Sequence, residues 1–356
     1  MNAAPEVAAR AAVSIVIVSW NTRDLLAKCL ATLRAVPGSP TLVDGLPADV
    51  VVVDNASRDG SPEMVRERFP WVRLIANRDN LGFARANNQV LPGCRKPYVL
   101  LLNPDTEVAP GAIRTLVEFL ESQPDAGAAG ARLLDPDGRL QESCHPEPTL
   151  GRELWSLLHL DGLVPWARYC MSEWSPNVPR QVEVVQGACL LLRRAALDDV
   201  GPLDEQYFMY SEEVDLCRRL RLNGWRIFWV PRAAVVHYSG QSTRQMATAM
   251  FVRLYQGKIL YFRKHSGARA ARIYKLILLI AALARLAVGP LVLAERSPRR
   301  ELRMPCLAAT CAWSGRFPAY DRRLARAGPR PGPPGGRAAL RGAACRLGRP
   351  PGRRRR

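Results

Sequence analysis

The chain has 356 residues, 48% of them hydrophobic, and a formal net charge of +19. That length carries one large domain with appendages or two domains, and the apolar content is enough for a buried core. About 17 Arg against only Glu301 and Asp321 fall from position 296 onward, so about 15 of the 19 positive charges sit in this tail and the rest of the chain lacks the basicity of a nucleic-acid-binding fold.

Taken in order, SIVIVS over 14–19 reads as a buried strand, and LLAKCLATLRA after it has the three- and four-residue apolar spacing of a helix. ADVVVVDNAS is a second continuous apolar run, ending in Asp54 and Asn55. A second helix is expected over about 62–69, then a third strand in VRLIAN and a third helix opening in GFARANNQVL. YVLLLNPDTEV, from Tyr98, is the fourth strand. Runs that are apolar on both faces belong inside a covered sheet, and strands alternating with helices imply right-handed crossovers and a mainly parallel α/β sheet. Ligands in such sheets gather at the carboxyl ends of the strands. Three of these ends are polar: Ser19 with Asn21, Asp54 with Asn55, and Asn103 with Asp105.

In the second half, EVVQGACLLLRRAAL reads as a strand and turn, and FMYSEEVDLCRRLRLNGW as an acid-opened helix closed by Asn223 and Gly224. RIFWVPRAAVVHYSG reads as short strands ending at His237, and 247–265 as an aromatic helix. The run from Lys275 to Glu295 is apolar except for Arg285 and is interrupted by Pro290. A central Arg argues against a full membrane span, and the flanking Arg269, Arg272 and Arg296 suit a helix lying in a membrane surface; a buried or oligomer-forming helix and a true span stay open as alternatives. Beyond it the Arg-, Pro- and Gly-rich tail has no apolar period and is expected to be disordered. The expected organisation is a flexible terminus over 1–12, an α/β domain over 13–267, an apolar and basic membrane-associating segment over 268–303 and the tail over 304–356.

The nine Cys show no C-x-x-C pair and several lie in apolar runs, so they read as reduced core thiols of a cytosolic protein. The apolar run near the start is too short for a signal peptide, and no export is expected. No G-x-x-x-x-G-K-[ST] occurs, which argues against a P-loop kinase or ATPase.

Asp105 at a strand's end, with polar companions from two other ends, is what a hard cation bridging phosphates requires; a lone N-P-D could equally be an Asx turn. Glu212, Glu213 and Asp215 open a helix, where the macrodipole explains one or two acids. Adjacent carboxylates raise one another's pKa, which makes one of them a usable general base near neutral pH. Asp215 with Arg218 or Arg219 has the spacing of a structural ion pair. His237, at a strand end before Tyr-Ser-Gly, is placed like a metal or phosphate contact.

The ordered set VSIVIVSWN, VVVDNASRDGS, NRDNLGFARANN, LLLNPDTEV, QGACLLLRR, FMYSEEVDLCRRLRLNGW and VVHYSGQST resembles the inverting family 2 glycosyltransferases of the GT-A fold, above all bacterial rhamnosyltransferases that build cell-surface polysaccharides. The resemblance covers roughly 13–267. It implies a GT-A nucleotide-diphospho-sugar transferase fold and a divalent metal, Mg2+ or Mn2+, held by Asp105 and His237. It also implies nucleotide contacts from Asp54, Ser19 and Asn21, and donor-binding positions at Asn80, Gly82, Asn87 and Asn103. Glu213 matches the catalytic base and Glu212 would orient the acceptor. Asn103 stands where the family's D-x-D motif has its first Asp, and Glu213 where Asp is frequent. The implied partners are a nucleotide-sugar donor, dTDP-rhamnose above others, and a glycan or polyprenyl-linked acceptor at the inner membrane face. A metal-dependent sugar nucleotidyltransferase and an inactive sugar-nucleotide-binding homologue are the competing readings.

Overall fold

The computed structural model describes residues 12–33, 42–240 and 245–294. The expected flexible terminus as far as residue 11, the basic tail and Cys306, Cys311 and Cys345 lie outside the described residues.

A central sheet is built from β1 (Val13–Ser19), β3 (Leu46–Asp54), β4 (Arg73–Ala76), β5 (Tyr98–Leu102), β7 (Ala126–Leu134), β11 (Cys189–Arg193) and β12 (Arg226–His237). Its order is β4-β3-β1-β5-β11-β7-β12, with β2 (Leu42–Val43) on β3, and β6 (Thr106–Val108) and β9 (Arg180–Gln181) on β12. A separate two-stranded piece joins β8 (Cys144–His145) to β10 (Val184–Val185). The pairings β4-β3, β3-β1, β1-β5 and β7-β12 are parallel, while β11 runs antiparallel to both β5 and β7. The mainly parallel α/β architecture expected from the alternation is thus present, with one reversed strand at its centre.

Successive strand residues point to opposite faces, and both faces are covered, which is why the strands read as unbroken apolar runs. Ile15 and Ile17 join Val50, Val52 and Leu100 in the core on one face, against α1 (Arg23–Leu33) and α4 (Ala112–Ser122). Val16, Val51, Val53, Val99 and Leu101 face the other core, shared with α7 (Glu212–Leu222). Helices α2 (Ser61–Arg68), α3 (Phe83–Asn88) and α5 (Leu150–Leu157) complete the first half of the chain.

Two details differ from the sequence reading. The RRAAL segment, read as a turn, is helix α6 (Arg194–Val200), where Arg194 reaches Asp198 one turn on and caps the carbonyls of Leu91 and Cys94. The segment read as short strands is one continuous β12, whose register slips between Val230 and Ala234. Pro231 lies in that slip, where a residue without an N–H costs no ladder bond.

The last described segment is helical over Ala247–Ala294 and breaks at Gly267, which has φ 83° and ψ 173°. Its two parts, α8 (247–266) and α9 (268–294), do not stand apart from the domain. Ile259, Tyr261, Phe262, Ala270, Ala271, Tyr274 and Ile277 all pack into the second core. Lys258 and Tyr274 both bond the buried carboxylate of Glu153 on α5, at 2.9 and 2.8 Å. Among the described residues no helix is long and apolar enough to cross a membrane.

Candidate active site

The parallel register aligns the strand ends: Ser19 pairs with Asp54, and Ile17 with Leu102. Ser19, Asn21 and Asp54 form the first group there. The Asn55 amide donates to the Ser19 carbonyl at 2.8 Å, the Ser57 amide to Asp54 Oδ2 at 2.9 Å, and the Asn21 amide to Ser57 Oγ at 2.9 Å. Asp54 Oδ1 is buried without a partner, and burial raises its pKa above the ordinary Asp value, while the Ser57 bonds oppose the rise.

The second group, Asn80, Gly82 and Asn87, is tied to the first by Asn55 Nδ2, which donates to the Gly82 carbonyl at 3.1 Å. Asn80 Oδ1 accepts from the Gly82 amide at 3.0 Å, and Asn87 Nδ2 donates to the Phe83 carbonyl at 2.9 Å, leaving Asn87 Oδ1 buried and unpartnered. Gly82 has φ 83°, and a Cβ there would stand 2.3 Å from the Phe208 carbonyl oxygen. That close approach lets the Phe83 amide donate to Phe208 at 2.7 Å. Only glycine permits it.

Phe208 leads into the third group. Tyr210 and Ser211 both have positive φ, 70° and 71°, and turn the chain into α7, whose first residues are Glu212 and Glu213. Positive φ in such residues costs about 1–3 kcal/mol each and persists where the surroundings enforce it. Gly257 of α8 provides part of that enforcement: a Cβ on it would lie 2.8 Å from the Tyr210 carbonyl oxygen. Asn21, Ala56 and Ser239 have positive φ as well, so five of the seven such non-glycine residues described border these strand ends.

Glu212 is 5% exposed and Glu213 is half-buried, and Oε2 of each is buried with no hydrogen-bond partner. Burial, then the neighbouring Glu213 charge, pushes Glu212 well above the ordinary Glu value; burial also raises Glu213. The pair acts as a shared site that resists holding two negative charges. Asp215 is different. Burial would raise its pKa, but His265, Lys264 and Arg219 donate to it and bring it down to about 2. As expected from helix spacing, Arg219 bonds Asp215, at 2.8 Å; Arg218 instead reaches Glu147.

The fourth group is Asn103, Asp105 and His237. Antiparallel pairing of β6 with β12 sets His237 opposite Thr106, and the Tyr238 amide donates to the Asp105 carbonyl at 2.9 Å. His237 Nε2 lies 3.4 Å from Asp105 Oδ1 and 3.5 Å from Asn103 Nδ2. The third and fourth groups adjoin through Gly187 and Ala188, which lead into β11: the Asn103 amide donates to the Ala188 carbonyl at 2.9 Å, and a Cβ on Gly187 would be 3.8 Å from Glu213 Cβ. All the candidate residues therefore lie on one contact chain along the carboxyl ends of β1, β3, β5 and β12.

Sequence reasoning missed Gln141, a polar residue in a loop with no pattern to mark it. Its Nε2 donates to the His237 carbonyl at 2.6 Å, so its Oε1, 3.0 Å from Nδ1, can only accept. Nδ1 must then carry the proton, and in neutral imidazole the lone pair sits on Nε2, facing Asp105. Two Lewis-basic atoms that close suit a shared cation. Among the described residues no group of three or more His, Cys, Asp or Glu side chains assembles as a metal site. A two-donor pair fits a cation that takes its other ligands from phosphate and water, as Mg2+ commonly does.

The family model for glycosyl transferase family 2 matches residues 14–201, more than half of the chain. The chain belongs to glycosyltransferase family 2. This glycosyltransferase is 32% identical over 273 residues to the N-acetylglucosaminyl-diphospho-decaprenol L-rhamnosyltransferase of Mycobacterium tuberculosis, covering 71% of this chain and 85% of that one. It is 26% identical over 248 residues to the rhamnosyltransferase WbbL of Escherichia coli, covering 67% of this chain and 88% of that one. Among solved structures, the mannosyltransferase of Pyrobaculum calidifontis, in complex with GDP-mannose and Mn2+, superposes with a TM-score of 0.50 at 19% identity, covering 84% of this chain and 86% of that one. That likeness concerns the fold, which is GT-A. The enzyme is thus a rhamnosyltransferase-like member of family 2, as its ordered motifs suggest.

Proposed function

We propose that this glycosyltransferase transfers rhamnose from dTDP-rhamnose, with inversion, to a lipid-linked cell-surface glycan at the inner face of the cell membrane. The observation that carries the mechanism is the adjacency, through Gly187 and Ala188, of the raised carboxyl pair and the Asp105–His237 pair. The choice of sugar and acceptor rests on similarity to a rhamnosyltransferase whose acceptor is N-acetylglucosaminyl-diphospho-decaprenol. The free thiols Cys29, Cys94, Cys144, Cys189 and Cys217, all buried, agree with a reducing compartment.

In this reading Asp54, Ser19 and Asn21 contact the nucleotide, and Asn80, Gly82, Asn87 and Asn103 shape the donor pocket. Asp105 and His237 would hold a divalent cation, which would supply neutralising charge to the leaving diphosphate. Glu213 accepts the proton of the acceptor hydroxyl. The hydroxyl oxygen bonds to the anomeric carbon from the face opposite the nucleotide as the bond to phosphate breaks, and the electron pair leaves with dTDP. Glu212 orients the acceptor through a hydrogen bond.

The test is to supply dTDP-rhamnose, Mg2+ and N-acetylglucosaminyl-diphospho-polyprenol and to record dTDP release and the anomeric configuration of the product. Release coupled to a product of inverted configuration supports the reading. Turnover with a different nucleotide sugar only would overturn the donor, and a retained configuration would overturn the single displacement.

A further inference from the structure

We propose that the outer face of α9 is a docking surface for an anionic lipid bilayer. The inner face of this helix is already used: Ala270, Ala271, Tyr274, Ile277, Ala281 and Ala282 are buried. The residues between them, at steps of three and four, are Ile273, Leu276, Ile280 and Leu283, with Leu279 alongside, and each is 49–56% exposed. A helix on the surface of a soluble domain normally turns polar side chains outward at these positions. Here the outward stripe is continuously aliphatic over three turns.

Charge identifies the occupant. Arg269 and Arg272 are exposed and stand one turn before the stripe on the same side, since 269, 272, 273 and 276 share helical spacing. Neither makes an ion pair with a described residue. No Asp or Glu occurs anywhere between Asp215 and Glu295, so α8 and α9 carry only cations. Of these, Lys258 is taken up by Glu153, and Lys264 by Asp204 and Asp215. A cationic rim beside an aliphatic stripe is the composition of a helix that beds into the headgroup boundary of an anionic bilayer. A second copy docked through the same face would set this cationic rim against its own duplicate, with no acid over 216–294 in either.

The sequence alone allowed a surface helix, a buried helix or a span; the structure gives the two faces of one helix to two different surroundings. The docking does not depend on which sugar or acceptor is used. It has a mechanical consequence, because α8 packs Gly257 under Tyr210 and bonds Asp215 on the helix of the carboxyl pair. Bedding α9 in the bilayer therefore fixes the height of the proposed base above the lipid surface.

The experiment is flotation of the full-length chain with phosphatidylglycerol-containing vesicles and with pure phosphatidylcholine vesicles, without substrates. The wild type is expected to bind the anionic vesicles at least about tenfold more tightly, with binding weakened by salt. Leu276→Ser, Leu279→Ser and Leu283→Ser combined should lower that affinity about tenfold or more, although the Arg-rich tail is intact, and the thermal unfolding midpoint should hold because these side chains are already exposed. Arg269→Glu with Arg272→Glu should reduce binding to anionic vesicles and flatten its salt dependence. Unchanged binding of the triple Ser variant would overturn the proposal, since the tail alone would then account for attachment. A dimer in the absence of lipid that the triple variant converts to monomer, with vesicle binding unaffected, would overturn it in favour of a second copy.

Discussion

Gln141 holds His237 at two points, donating from Nε2 to its carbonyl at 2.6 Å and facing Nδ1 with Oε1 at 3.0 Å. The grip sets both the ring plane and the tautomer, so Nε2 meets Asp105 with its lone pair. Gln141→Leu frees the ring and removes that bias. The expected result is 10–100-fold weaker metal affinity, read as a higher Mn2+ concentration for half-maximal activity, with near-normal turnover at saturating metal. A purely structural role would lower turnover at every metal concentration.

Glu212 gives a stability prediction with a definite sign. Its folded pKa lies well above the 4.5 of an exposed Glu, through burial and then the Glu213 charge. As pH rises the unfolded chain releases this proton first, so the contribution of Glu212 to stability is full below pH 4.5 and is lost as pH climbs through the folded value. Glu212→Gln should therefore raise stability at pH 8 by about 1–2 kcal/mol and change it little at pH 4, measured by urea unfolding at both.

Asp215 has the opposite sign. Its pKa falls from 3.8 to about 2 despite burial, because His265, Lys264 and Arg219 donate to it. The stability it contributes is present above 3.8 and is lost as pH falls toward 2. Asp215→Asn removes the buried carboxylate that Arg219, Lys264 and His265 share and should cost about 3–5 kcal/mol at pH 7, a gap that narrows on acidification.

Gly82→Ala places a methyl 2.3 Å from the Phe208 carbonyl at a φ of +83°. The backbone must separate there, breaking the Phe83–Phe208 bond between the proposed donor loop and the carboxyl-pair loop. The expected loss is about 2 kcal/mol of stability together with at least tenfold weaker nucleotide-sugar binding. Gly111→Ala, with φ +79° but nothing within 4 Å, is the control that isolates the strain, and it should spare binding.

The alternation of buried strands and helices was legible because β1, β3 and β5 are apolar on both faces, and the strand-end polar residues followed from it. The direction of β11 was not, since a buried strand such as CLLLR reads the same paired parallel or antiparallel. Helix α6 was hidden because its seven residues offer too little periodicity, and the continuity of β12 because Pro231 resembles a break until the bulge is seen. Within the site, Asn103, Asp105 and Glu213 stand out by residue type and position. Gln141, Ser57 and Gly257 act through contacts with residues distant in sequence, which a single chain of letters does not encode.

The mechanism turns on Glu213 as the proposed base. The decisive measurement pairs transfer by Glu213→Gln with calorimetric binding of dTDP-rhamnose to the same variant. Loss of turnover by about 100-fold or more with donor affinity within about twofold of wild type is the predicted result. Near-normal turnover would contradict the assignment outright, as would a loss of activity that merely tracks lost donor binding.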